Sequence, residues 1–231
     1  MPRARTSTQN DRQTAAAPNG SGCLSLYSLP LFAIIMIACL ITVLGFNAPI
    51  PTSAAPSTQT GLTNSTSLSP IFTREIQHWA DDILRWANAS SLDPNLVAVV
   101  MQIESCGDPF ALSSAGAMGL FQVMPFHFHT GENPYDANTN ALRGMNYLSR
   151  SLEASRGNTR LALAGYNGGI GVITRGEWTW SAQTLRYVYY GAPIYEDARS
   201  GAASSSKLEE WYRKYGAGLC RQASRRLGLK P

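Results

Sequence analysis

The sequence predicts a mostly α-helical domain, and three observations carry that prediction. Beyond position 70 the apolar residues recur at helical spacing. Helix-start residues, clearest at Asp93-Pro94, stand just ahead of apolar runs. No segment alternates with period two well enough to read as a strand. Although 231 residues suit one or two domains, the uneven placement of charge points to a single folded domain over residues 71–231.

The segments ahead of that domain are read from charge and hydropathy. Residues 1–23 form a tail carrying Arg3, Arg5 and Arg12 against Asp11 alone, and no charged residue occurs between Arg12 and Arg74. Inside that gap Leu24 to Phe46 is almost wholly apolar, and its 23 residues reach roughly the 30 Å of a bilayer core at about 1.5 Å per residue. The sequence therefore predicts one transmembrane helix over 24–46, with the basic tail in the cytoplasm and the domain outside a cell membrane that it crosses once. A cleaved signal peptide would carry a shorter apolar core and a small-x-small site. Phe46-Asn47-Ala48 puts Phe where a small residue belongs, and Ser53-Ala54-Ala55 comes late and precedes Pro56, so an uncleaved anchor is the better reading. Met36-Ile37-Ala38-Cys39 bears a faint likeness to a lipoprotein signal, but the apolar run continues through Leu44. Residues 47–70 hold ten Ser or Thr and four Pro, too few large apolar side chains to fold, and read as a flexible linker.

In residues 71–231 the 16 basic and 14 acidic side chains nearly balance, which argues against nucleic acid as a partner. The cluster Arg221, Arg225, Arg226 and Lys230 lacks interleaved aromatics and reads as the solvated face of a terminal helix. Ser69-Pro70 can start a helix whose face holds Ile76, Trp79, Ala80, Ile83 and Ala87. Asp93 as N-cap and Pro94 at the first position open a helix over Pro94 to Ser105. Further helices are expected at Asn140 to Ser155, Thr159 to Tyr166, Ala182 to Tyr190 and Lys207 to Tyr215, the last closed by Gly216.

The helix over Pro94 to Ser105 ends in a carboxylate with a physical consequence. Leu96, Val99, Val100 and Ile103 surround Glu104 with apolar surface. A carboxyl held there has its charged form disfavoured and can serve as a general acid near neutral pH. An arbitrary Glu at a helix end would more often point to solvent or pair with an Arg. Three downstream segments set this one apart: Ser113-Ser114-Ala115-Gly116-Ala117-Met118-Gly119-Leu120-Phe121-Gln122, then Ala164-Gly165-Tyr166-Asn167-Gly168-Gly169, then Gln183-Thr184-Leu185-Arg186-Tyr187. Small residues at Gly116, Ala117 and Gly119 let backbone approach a ligand.

In order and spacing, Glu104-Ser105, Gly119-Leu120-x-Gln122 and Tyr166-Asn167-Gly168-Gly169 resemble the soluble lytic transglycosylase (SLT) family of peptidoglycan-cleaving enzymes, whose fold is lysozyme-like. The resemblance runs from about Leu92 to Val188. It implies that Glu104 is the single catalytic acid and base. It further implies that Ser105, Ser113 and Gln122 contact the carboxyl or the glycan, that Tyr166 and Asn167 line the sugar groove, and that Tyr187 sets its hydroxyl near the carboxylate. Phe121 stands where Met is usual, Gly165 where Ala is, and Gln183 where Glu often precedes Thr184. The implied reaction cleaves the β-1,4 bond between N-acetylmuramic acid and N-acetylglucosamine and closes a 1,6-anhydro ring. Most glycosidases need two carboxylates; a substrate that supplies the second group needs one. No cofactor and no metal is implied. The implied partners are peptidoglycan glycan strands, with the membrane met through Leu24 to Phe46. A lysozyme-type hydrolase or a silent wall-binding module are the alternatives, and a hydrolase would want a second carboxylate, for which Asp108, Glu132 and Asp136 are nearest in sequence.

The remaining reactive residues have plainer readings. Asp108 beside Pro109 reads as a turn cap. His127 and His129 offer too few partners for zinc, with His78 the one other histidine. Trp178 and Trp180 could stack on sugars or pack structurally. Cys39 falls in the span and Cys23 beside it, leaving Cys106 and Cys220 for a disulfide expected of an exported domain. A nucleophilic Cys106 has no partner that the sequence singles out.

Overall fold

The computed structural model describes residues 67–230, so the expected tail, membrane helix and nearly all of the linker lie outside the described residues. Among the described residues no helix is long and apolar enough to cross a membrane. They form α-helices without any strand longer than isolated bridges at Leu112, Met118 and Val123. In chain order these are α1 (Arg74–Gln77), α2 (Ala80–Ala89), α3 (Pro94–Glu104), α4 (Ala137–Ala154), α5 (Thr159–Gly168), α6 (Ala182–Arg199), α7 (Ser206–Trp211) and α8 (Ala217–Arg226). Short 3-10 turns occupy Pro125–His127, Ile170–Val172 and Glu177–Thr179, and a π turn over Tyr212–Gly216 joins α7 to α8.

Helix α3 is the axis of the domain. Its run from Leu96 to Met101 is buried on every side, as a helix apolar around its circumference requires. It packs on α2 and α6, while α5 lies against both α4 and α6. Each large side chain sealed here, such as Leu96, Met101, Leu163 or Ile194, contributes about 1.5–3 kcal/mol by leaving water. The helix starts are fixed by side chains that take up otherwise unpaired amides. Asp93 accepts from Asn95 N at 2.8 Å, Asp136 from Thr139 N at 2.8 Å, Asn158 from Leu161 N at 3.0 Å and Ser181 from Thr184 N at 3.0 Å. Asp93 also accepts from the Tyr195 hydroxyl at 2.9 Å, which ties the start of α3 to α6.

Several boundaries differ from the sequence reading, the first helix starting at Arg74 and not after Ser69-Pro70. The first helix breaks at His78 and Trp79 into α1 and α2, because Trp79 turns its indole N–H to Gly107 O at 2.9 Å. Helix α4 starts at Ala137, with Asp136 capping it, rather than at Asn140. Helix α6 runs past Tyr190 and through Pro193 to Arg199. An internal proline costs about 3 kcal/mol, which the burial of Ile194, Tyr195 and Ala198 offsets. Gly216 does not end a helix: its backbone stays helical, and a Cβ there would come within 2.3 Å of the Trp211 ring. It is a glycine for close approach.

The C-terminal helix is docked, not merely solvated. Ala223 and Ser224 are buried, and the Ser224 hydroxyl donates to the Glu75 carboxylate. Cys106 and Cys220 form a disulfide with their Cα atoms 5.0 Å apart. Beneath it the buried Gln102 amide donates to Cys106 Sγ at 3.1 Å and accepts from Thr73 N at 3.2 Å.

Candidate active site

Glu104 is the last residue of α3, and the chain turns away at once through positive φ values at Cys106 (53°) and Gly107 (80°). Ser105 sits behind the turn, fully buried, donating to Leu120 O at 2.7 Å and accepting from Gly107 N at 3.1 Å. Both partners are backbone groups, so Ser105 braces the following loop.

That loop, residues 111–123, is folded by its own amides. Gly119 N donates to Ala111 O at 2.8 Å, and Met118 and Val123 exchange both backbone hydrogen bonds at 3.0 Å. The Ser113 hydroxyl accepts from Ala117 N at 2.9 Å, an internal turn contact. Gln122 adopts φ of 46°, unusual for a residue with a Cβ, and its amide NH2 donates to Ala111 O at 3.2 Å and Gly119 O at 3.0 Å. This leaves its carbonyl oxygen as the group able to accept from a ligand.

Asn140, on α4, holds the same loop from the other side. Its Oδ1 accepts from Phe121 N at 2.9 Å, and its Nδ2 donates to Met118 O at 2.8 Å and Pro134 O at 2.9 Å. One turn on, Gly144 leaves room for Phe121, whose Cβ would lie 2.7 Å from any added methyl. From α5 the Tyr166 hydroxyl donates to Phe121 O at 2.8 Å, and Asn167 Oδ1 accepts from Thr184 Oγ1 at 3.1 Å. The three motifs thus meet around Phe121.

A groove of about 290 Å³ opens here, lined by Gln122, Met124, Phe126, His127, Tyr147 and Asn167, with Tyr166 and the two glycines after Asn167 completing it. Glu104 is half-buried beside Tyr166 and Tyr187. A larger cleft, about 1070 Å³, lies instead along α6 and α7 between Tyr189, Lys207 and Tyr215 and shares none of the Glu104, Gln122 or Tyr166 constellation.

Burial pushes the Glu104 carboxyl up to about 8, and the Tyr187 hydroxyl pulls weakly the other way. Tyr187 is buried and near enough to favour the carboxylate, yet its hydroxyl lacks the geometry of a full hydrogen bond to any group among the described residues. Burial and the charge of Glu104 hold the Tyr166 and Tyr187 phenols well above their usual range, so both stay protonated donors. Burial thus favours the protonated carboxyl near neutral pH, with two phenol hydroxyls beside it.

Residues 81–184 match the model of the transglycosylase SLT domain family. Over these residues the chain is similar to a transglycosylase SLT domain. It is 36% identical over 111 residues to the transglycosylase of Enterobacteria phage PRD1, an overlap of 47% of this chain and 40% of the phage protein. It is also 36% identical over 50 residues to the membrane-bound lytic murein transglycosylase E of Buchnera aphidicola subsp. Acyrthosiphon pisum (strain APS), covering 22% of this chain and 23% of that protein. The chain therefore spans less than half the length of these curated relatives.

Asp108, Glu132 and Asp136 are committed elsewhere. Asp108 is buried and accepts from Arg226 Nη1 at 2.9 Å on both oxygens, from Gln222 Nε2 at 2.8 Å and from Phe110 N at 3.0 Å. It caps its turn as expected, but it is also an anchor for α8. Glu132 pairs with Arg143, Nε to Oε2 at 2.9 Å, which with the His129 amide holds it down to about 2. Asp136 is the cap of α4.

Sequence reasoning passed over Asn140, Thr184 and Tyr147 as individual residues. The i, i+4 spacing of Asn140 and Gly144 behind the Asp136 cap was the available signal for the first. Trp180 is buried with its indole N–H on Val172 O at 3.1 Å, a structural residue, whereas Trp178 is 89% exposed. His127 sits in the groove between the rings of Phe126 and Tyr147.

Proposed function

We propose that the SLT domain is a peptidoglycan lytic transglycosylase in which Glu104 alone serves as acid and then base. The observation that carries this reading is the isolation of Glu104: one carboxyl raised to about 8 beside two phenols, with Asp108, Glu132 and Asp136 each bound to other groups. Protonated Glu104 gives its proton to the glycosidic oxygen, and the bond from that oxygen to C1 of the N-acetylmuramyl ring breaks. The sugar's own N-acetyl group supports the electron-poor C1. The Glu104 carboxylate then takes the proton of the 6-hydroxyl, whose oxygen bonds to C1. Glu104 ends protonated, as it began, and water is neither consumed nor released.

Gln122, Tyr166 and Asn167 contact the glycan from the groove in this reading, Tyr187 steadies the transient Glu104 carboxylate, and Ser113 can donate to a ligand while its oxygen accepts from Ala117 N. Residues 24–46 anchor the chain in a membrane with the domain outside. Protease added to intact spheroplasts should then remove the domain, and a protected domain would contradict the placement. For the chemistry, mass spectrometry of muropeptides released from purified sacculi decides: 1,6-anhydromuramyl ends support the proposal, while reducing ends point to a hydrolase and no release to a wall-binding module.

A further inference from the structure

The sugar groove does not end at its aromatic wall. Phe126, His127, Tyr147 and Tyr166 form a chain of rings with successive centroids 4.5, 4.7 and 5.7 Å apart, from the 75% exposed Phe126 to the neighbour of Glu104. Behind that wall a second cavity, about 470 Å³, shares His127 and Tyr147 with the groove and is otherwise lined by Arg143, Asn146, Ser149 and Arg150. The α4 members Arg143, Asn146, Tyr147 and Arg150 are spaced i, i+3, i+4, i+7 and so share one helix face.

The two arginines on that face differ. Arg143 is neutralised by Glu132. Arg150 has no ion pair or hydrogen bond among the described residues, and neither the Asn146 nor the Ser149 side chain has a hydrogen bond there. Burial, with the charge of Arg150, pushes the His127 imidazole below its ordinary value, so the shared wall stays neutral and Arg150 is the uncompensated charge. A guanidinium with adjacent amide and hydroxyl groups matches a carboxylate in charge and in donor number.

We propose that Asn146, Ser149 and Arg150 form a carboxylate-binding subsite that receives the 3-O-lactyl branch of a muramyl residue seated in the groove. This rests on the transglycosylase reading of the same groove. The branch carboxylate has two sources: the lactyl group itself on peptide-free strands, or the stem peptide on substituted strands.

The test uses steady-state cleavage by the intact chain and by Arg150→Ala and Arg150→Lys, on peptide-free and peptide-substituted glycan, each with and without carbodiimide amidation of its carboxylates. Wild-type KM should rise about three- to tenfold on amidation of at least one glycan, the scale of a single partly solvated charged contact. Arg150→Ala should show the raised KM already, ignore amidation and keep its kcat, and Arg150→Lys should recover part of the response. A response confined to peptide-free glycan assigns the lactyl carboxylate; one on substituted glycan assigns the stem. Equal responses of wild type and Arg150→Ala, or none in either, overturn the subsite. Reducing ends or no cleavage by the wild type would instead defeat the transglycosylase reading, and that outcome is read separately from KM.

Discussion

Asp108 lies four residues after Glu104, yet both its oxygens face Arg226 Nη1 at 2.9 Å, 118 positions further along the chain. Asp108 thereby fastens α8 to the turn that follows α3. Asp108→Asn should therefore lower stability by about 1–3 kcal/mol, toward the lower end because the Arg226 side chain is 38% exposed. That corresponds to a fall in Tm of several degrees for a domain of this size. Activity per folded molecule should change less than threefold. A collapse in turnover by a fully folded variant would restore the two-carboxylate reading.

The contrast shows where the sequence was readable. Glu104, Gln122, Tyr166, Asn167 and Tyr187 stand out in the sequence because the chemistry of the resembling family demands particular side chains in a fixed order, and the helix start at Asp93 and Pro94 was legible because capping is local. Asp108 was half legible: its turn cap is a two-residue affair, but its bond to Arg226 closes over a hundred residues and leaves no local trace. Gly216 misled for the same reason, since a glycine that makes room for Trp211 looks in sequence like one that ends a helix. Ser105 belongs to the motif, but only its burial shows that it serves the loop.

The disulfide closes a loop of 114 positions and holds α8 on the helix that ends in Glu104. In the chain-entropy model such a closure contributes about 4–5 kcal/mol. Reduction, or Cys106→Ser with Cys220→Ser, should lower the urea midpoint and steepen the slope, because the unlinked unfolded chain is more expanded and exposes more surface, and should expose α8 to proteolysis first. A midpoint that does not move would show that the Asp108–Arg226 and Glu75–Ser224 contacts suffice alone.

Tyr187→Phe tests the coupling between the phenol and the acid. The hydroxyl favours the charged form of Glu104, and it is buried without a full hydrogen bond. Removing it should raise the Glu104 pKa further, so the alkaline limb of kcat/KM should move to higher pH while maximal turnover falls, because the carboxylate formed during proton transfer loses its neighbour. Folding stability should be unchanged or slightly higher, since an unsatisfied buried hydroxyl costs about 1–3 kcal/mol. An alkaline limb that stays in place would separate Tyr187 from Glu104.

Glu104→Gln examines the acid itself in two independent ways. General acid–base catalysis is worth about 10²–10⁴-fold, and here one group serves both proton transfers, so release of anhydromuropeptides should fall by about 10⁴ or more. The second readout is stability. The Glu104 carboxyl titrates at about 8 when folded, against 4.5 for an unperturbed group. Between those values the folded chain holds a proton that the unfolded chain has lost, so unfolding releases it and stability declines as pH rises. The decline starts near 4.5 and levels off above about 8. Glutamine carries no such penalty and has nearly the same shape. The variant should therefore match the wild type near about pH 4 and become progressively the more stable of the two up to about pH 8, with activity absent throughout. A stability difference that stays flat with pH would show that Glu104 is ionised normally. Near-normal release by the folded variant would remove it from the chemistry.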